Sequence, residues 1–238
     1  MLLTLLDSTP LANYKILSNS ITPRPIAWIS TISPSGVLNL APFSFFSPLC
    51  ATPVIFGINI MNKSNGELKD TLKNAMETKK ATISTVQPQF LESMQQTSNE
   101  LPHNISEARQ YGIPLESLDD DFVFESGGAR DLGREFKEVS KEDSNPNQDS
   151  ILNFNVDSNA DSTTIKNEYS KNTESSFPPM VKDTLVAFFC DFRDVLHFSQ
   201  TQATLILEAK KVFIHDSIYT ESLNFTLQNV GRVGKGFI

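Results

Sequence analysis

Apolar and polar positions change period several times along the chain, and each change predicts an element. Residues 26–32 (Ile-Ala-Trp-Ile-Ser-Thr-Ile) are a short apolar run rich in β-branched and aromatic side chains, which predicts a strand. Ser33-Pro34-Ser35-Gly36 has turn composition, and residues 37–41 start a return strand, so the two read as a hairpin. Residues 53–60 predict another strand, with Pro53 at its first position, where a missing N–H is tolerated. The period then lengthens. Ser64 and Glu67 have capping-box spacing, and Leu68, Leu72, Ala75 and Met76 share one helical face, which predicts a helix over 66–77. Residues 80–87 return to a strand pattern, with short helical pieces expected near 88–95 and 105–111. Strands are expected again within 183–198 and over 203–214. Many strands, few helices and no βαβ repetition predict a mainly β fold, an antiparallel barrel with small attached helices.

Residues 131–176 break the pattern. Asp, Glu, Asn and Ser dominate there, just after Gly127-Gly128. Such a segment buries too little apolar surface to offset its ordering entropy, so it is expected to be a mobile insertion in an otherwise single domain over 1–238.

Composition narrows the function classes. The chain has 238 residues, 39% of them hydrophobic, enough for one sizeable core. A net charge of −8 without a basic stripe argues against nucleic acid. The two cysteines, Cys50 and Cys190, have neither CxxC nor Cys/His spacing. A reducing compartment fits better than a disulfide scaffold or a zinc site. Met1–Asp7 is too short for a signal h-region, and no run reaches membrane-spanning length. A cytoplasmic protein without a membrane partner is the expectation. His103, His197 and His215 are scattered, so no metal site is expected. There is no GxGxxG after a strand, no Walker loop, no HExxH and no GxSxG.

The stretch from Pro23 to Pro48 holds the one Trp, with Phe43, Phe45 and Phe46 interleaved among Pro, Ser, Thr and Asn. Pro42 cannot donate to a ladder, so it predicts an interruption or an edge strand. Ser44 and Ser47 offer hydroxyls beside apolar rings, a mixture that suits an isoalloxazine: apolar faces and a polar edge. An ordinary barrel strand with packing aromatics is the competing reading. The predicted helix carries Lys69, Asp70 and Thr71 near its start and Asn74 one turn on. That arrangement suits a phosphate at a helix N-terminus, or simply a solvated face.

Together these residues resemble the flavin reductase-like, FMN-binding split-barrel family. The resemblance rests on Pro23-Arg24-Pro25-Ile26-Ala27-Trp28, Ser30-Thr31, Gly36, Asn39 through Phe46, Lys69-Asp70-Thr71 and Asn74. It continues at Thr97-Ser98, Pro178-Pro179, Cys190 and Gly231-Arg232-Val233-Gly234. The resemblance implies a split β-barrel homodimer that binds FMN non-covalently near the subunit interface. Ala41, Pro42, Phe43 and Ser44 would contact the flavin and ribityl chain, with Asn39 and Thr31 on the same wall. Lys69 and Thr71 would hold the phosphate, supported by Asn74, and Arg24 would reach either the flavin edge or the partner chain. No side chain is required as a catalytic acid or base. The implied activity is NAD(P)H-dependent reduction of flavin, with FMN as bound cofactor or substrate. The alternatives are an electron carrier or ferric reductase fed by a protein donor, and a non-enzymatic barrel that has lost flavin. Three features depart from the family: Phe237 stands where a Tyr is typical, the usual Glu-Phe pair is present only loosely, as Glu107-Ala108-Arg109, and the acidic insertion is unusual.

Overall fold

The computed structural model describes residues 8–117 and 177–238. The insertion predicted at 131–176 lies outside the described residues. In chain order the elements are α1 (Pro10–Ser20), β1 (Arg24–Pro25), β2 (Ala27–Ile32), β3 (Leu38–Phe43), β4 (Phe46–Ala51), β5 (Val54–Met61), α2 (Asp70–Thr78), β6 (Lys80–Ser84), α3 (Leu91–Gln96) and α4 (Glu107–Gln110). They continue with β7 (Leu115–Glu116), β8 (Met180–Val181), β9 (Val186–His197), β10 (Gln202–Ile214), β11 (Gly231–Val233) and β12 (Gly236–Phe237).

Seven strands form one antiparallel sheet in the order β3-β2-β6-β9-β10-β5-β4. Its two edges are consecutive in sequence: β3 ends at Phe43 and β4 begins at Phe46. A chain that leaves one edge of a sheet and enters the other across Ser44-Phe45 has to curl the sheet on itself, and the twist of the strands permits this. The result is a barrel split between β3 and β4. Pro42 sits on β3, an edge strand paired only with β2, as its missing N–H predicts.

β2 explains its near-continuous apolar composition by burying both faces. Ala27 and Ile29 point into the barrel with Phe56, Ile58, Ile83, Leu205 and Leu207. Ile26 and Trp28 point the other way, into a second core with Leu40, Val86, Met94 and Val181. Trp28 is fully buried and its indole N–H donates to Thr97 Oγ1 at 2.9 Å. The one Trp is therefore a core residue on the far side of the strand.

Other boundaries moved for identifiable reasons. The helix predicted over 66–77 begins at Asp70, with Lys69 as its N-cap and no side-chain cap. Ser64 is diverted: its hydroxyl donates to Glu100 at 2.7 Å, and Asn65 accepts the Glu67 N–H at 3.0 Å in a turn of its own. The strand predicted over 80–87 stops at Ser84. α1 was not predicted. Its apolar residues Leu11 and Leu17 are exposed, so they form no core-facing stripe.

Candidate functional site

The split in the barrel opens onto a cleft of about 800 Å³, within the range of small-molecule sites. Its walls are the β3–β4 corner, the start of α2, the outer face of α1 and the tip of the β9–β10 hairpin.

α2 is positioned by a clamp of four buried side chains. Thr31 and Asn39 face each other across the β2–β3 ladder. Thr71 and Asn74 stand three apart on α2, hence on one helical face. Asn39 Nδ2 donates to Thr71 Oγ1 at 2.8 Å, and Asn74 Nδ2 donates to Thr31 Oγ1 at 3.2 Å. Leu72 and Ala75 of the same helix plug the barrel core. The clamp aims the N-terminal turn of α2 into the cleft. The first N–H groups of a helix lack intrahelical acceptors and carry a partial positive charge, so they favour an anion.

Charged neighbours frame this end. Lys69 Nζ lies 3.3 Å from Glu100, and Lys63 Nζ lies 2.8 Å from Asp70. The hydroxyl and backbone N–H of Ser64, then Lys69, hold the Glu100 pKa below its ordinary value. Glu107, on α4, is buried and accepts the Leu40 N–H at 3.0 Å. Burial pushes its carboxyl pKa up, and the charge of Asp70 adds to the rise. Glu107 thus braces β3 at the wall of the cleft.

Of the ten residues predicted to bind a cofactor, Asn39, Ala41, Pro42, Phe43, Ser44, Lys69 and Thr71 line the cleft together. Thr31 and Asn74 do not; they act through the clamp. Arg24 does not line it either. Its guanidinium is buried behind Phe45, 5.5 Å from the ring centroid, and donates through Nη1 to the carbonyls of Ser18 and Ile21. Burial lowers its pKa, Tyr14 opposes the shift and Arg232 adds to it.

Sequence reasoning missed Tyr14, Glu100 and Phe198. Tyr14 stacks on Phe45 with centroids 5.7 Å apart. Phe198 is 77% exposed at the tip of the β9–β10 hairpin, where it borders the cleft. The signal for α1, and so for Tyr14, was present: Thr9-Pro10 is an N-cap followed by a first-turn proline, and Thr9 Oγ1 accepts the Ala12 N–H at 3.2 Å. Among the described residues no cluster of three or more potential metal-ligating side chains occurs.

The fold is shared with a solved structure from Shewanella frigidimarina described as a putative flavin reductase with a split barrel domain, which aligns at TM-score 0.63 and 16% identity over 97% of this chain and 90% of that one. Residues 19–125 match a family model described as a flavin reductase like domain. An uncharacterized protein of Aquifex aeolicus (strain VF5) is 38% identical over 104 residues, covering 44% of this chain and 53% of that protein. The chain thus spans about half the length of the curated relative it matches. Among solved structures, nitrilotriacetate monooxygenase component B from Bacillus cereus aligns at TM-score 0.69 and 19% identity, over 100% of this chain and 94% of that one. An FMN-binding protein from Thermus thermophilus aligns at TM-score 0.60 and 12% identity, over 99% of this chain and 94% of that one. Identities this low establish the shared fold.

Proposed function

We propose that the cleft binds FMN and that the protein is an oxidoreductase in which NAD(P)H reduces the bound flavin. The observation that carries this reading is the clamp, which points Lys69, Thr71 and the N-terminus of α2 at a cleft whose opposite wall is Ala41–Phe45. One end offers charge and donors for a single phosphate. The other offers apolar side chains and an edge-strand backbone for a flat, hydrogen-bonding ring. The fit is to a mononucleotide, because one helix end and one lysine suffice for its phosphate.

When bound, the flavin supplies the redox chemistry. The chain's own residues orient it. Thr71 gives a hydroxyl, Lys69 a charge, and Asn39 fixes the Thr71 rotamer. Ala41, Pro42 and Phe43 shield one side, and Ser44 offers a hydroxyl that no other described residue uses. No titratable side chain of the cleft is needed as acid or base.

The free strand β4 and its neighbour β5 expose Leu49 at 58% and Val54 at 38%. An apolar edge of this kind is normally covered, and a second copy of the chain, forming a homodimer, covers it here. Both cysteines are free, Cys190 buried and Cys50 exposed, which accords with a reducing cytoplasm. No helix among the described residues is long and apolar enough to cross a membrane.

The test is an anaerobic absorbance spectrum of purified protein before and after NADH and NADPH. The expected result is a flavin spectrum that bleaches with at least one of them. A flavin spectrum unmoved by either would shift the reading to an electron carrier, and a colourless protein indifferent to added FMN would end it.

A further inference from the structure

A second cavity, of about 290 Å³, adjoins the flavin cleft and shares Pro42, Phe43, Ser44 and Ser98 with it. Its floor is apolar, made by Ile26, Met94 and Phe237. Its one charged lining side chain is Arg232. The Arg232 guanidinium lies 4.4 Å from the Phe237 ring centroid, and its Nε donates to the Gly234 carbonyl at 3.3 Å. No carboxylate of the described residues pairs with it, nor with Arg24. Two other polar side chains at the cavity, the Ser44 hydroxyl and the Gln95 amide, hydrogen-bond no other described residue.

Arg24 and Arg232 are register partners in the β1–β11 ladder. Like charges directly opposite in an antiparallel pair repel. Arg24 is 4% exposed, and its Nε and Nη2 have no hydrogen-bond partner. Buried donors without acceptors are costly, and two neighbouring guanidiniums without an acid are costlier. An anion beside Arg232 would offset the repulsion between the two guanidiniums, although it would not reach the buried Arg24 nitrogens. Stacking on Phe237 presents the Arg232 fork in a fixed plane, the geometry that suits paired oxygens of a phosphate.

We propose that this second cavity is a phosphate subsite for the electron donor, in which Arg232, with Gln95, holds a phosphate of the nicotinamide dinucleotide beside the flavin wall. The inference rests on the donor and cofactor named under the proposed function. At about 290 Å³ the cavity is at the lower limit for whole ligands, so it takes a phosphate and its immediate neighbours and not the entire dinucleotide. The shared Pro42–Ser44 wall leaves the nicotinamide end over the flavin cleft. Arg24 adds positive potential from behind without lining the cavity.

The test uses FMN-loaded wild type and Arg232→Gln, with retained melting temperature as the folding control. The donor concentration for half-maximal flavin bleaching is expected to rise about tenfold or more in the variant, the value of one charge-assisted contact, while FMN affinity is unchanged. Dihydronicotinamide riboside, which has no phosphate, should reduce both proteins at equal concentrations. Gln95→Ala, on the solvent side of the cavity, should give a smaller rise and serves where Arg232→Gln fails to fold. Calorimetry with inorganic pyrophosphate supplies a readout independent of turnover: binding to wild type and its loss in Arg232→Gln are expected. Pyrophosphate binding equally to both, or to neither, would overturn the subsite. A drop in FMN affinity in Arg232→Gln would also overturn it, by placing the cofactor's own phosphate there. If neither dinucleotide reduces the flavin, the functional reading fails on that result, and the pyrophosphate titration still decides the cavity.

Discussion

The α2 end of the cleft and the β11 side of the adjoining cavity are built in opposite ways. At the α2 end the clamp side chains are matched to one another: Asn39 with Thr71, Asn74 with Thr31. The charges beside them are matched too, Lys69 with Glu100 and Lys63 with Asp70. At the β11 side two guanidiniums stand opposite each other, and the buried Nε and Nη2 of Arg24 are unmatched. A network satisfied by its own members is rigid before any ligand arrives, which favours tight, pre-organised binding of a resident cofactor. A set of unmatched donors gains most when an anion comes and loses it when the anion leaves, which suits a substrate that turns over.

The largest expected effect that could break this contrast is at the matched end. Lys69→Ala combined with Thr71→Ala should weaken FMN binding by about 100-fold, the loss of one charged and one neutral contact. A fluorescence titration measures it, and unchanged affinity would remove the phosphate from α2. Next comes the clamp itself. Asn74→Ala leaves Thr31 Oγ1 buried without its donor and should cost about 1–3 kcal/mol in denaturant unfolding. Its effect on FMN affinity should stay under about tenfold, since Asn74 does not line the cleft. A larger loss of affinity than of stability would show that Asn74 touches the ligand.

Glu107 sharpens the comparison through pH. Its carboxyl pKa is raised by burial. The folded state therefore holds a proton that the unfolded chain releases near pH 4.3, about the ordinary Glu value. The Glu107 contribution to stability is fully present below that value and is lost as pH rises toward the raised one. Glu107→Gln keeps an acceptor for the Leu40 N–H but cannot ionise, so this part of the decline should vanish from melting curves taken across the acid-to-neutral range. A variant whose decline matches wild type would show that Glu107 ionises without penalty. The smallest effect is at Glu100. Glu100→Gln releases Lys69 from an exposed ion pair and should tighten FMN binding less than about threefold, a gain that salt erases. A gain that survives high salt would show that the pair is not screened by solvent.

The long strands β2, β5, β9 and β10 were legible because each carries an apolar run that tertiary burial then exploits on one or both faces. The wall from Asn39 to Ser44, together with Lys69 and Thr71, was legible through its spacing, and the structure brings those residues to one cleft. Three features were not legible. The Ser64–Glu67 spacing imitates a helix start, yet Glu100, 36 residues away from Ser64, captures its hydroxyl. Strand β4 is exposed along most of its length and interrupted by Pro48, so nothing in its own pattern distinguishes it from a loop. Arg24 could be placed at a motif but not on a side of it, because its depth depends on α1 carbonyls and on Phe45.

The Ser44-Phe45 corner joins the two edges of the sheet, and this constrains its length more severely than its composition. Side chains alternate faces along a strand, so one added residue there would turn every position of β4 over. Phe46, which packs on the ring of Phe56 at 5.4 Å, would exchange places with the outward-facing Ser47. Substitutions along the seam can retune what the cleft accepts. Single-residue insertions and deletions would instead shift the register of the seam itself.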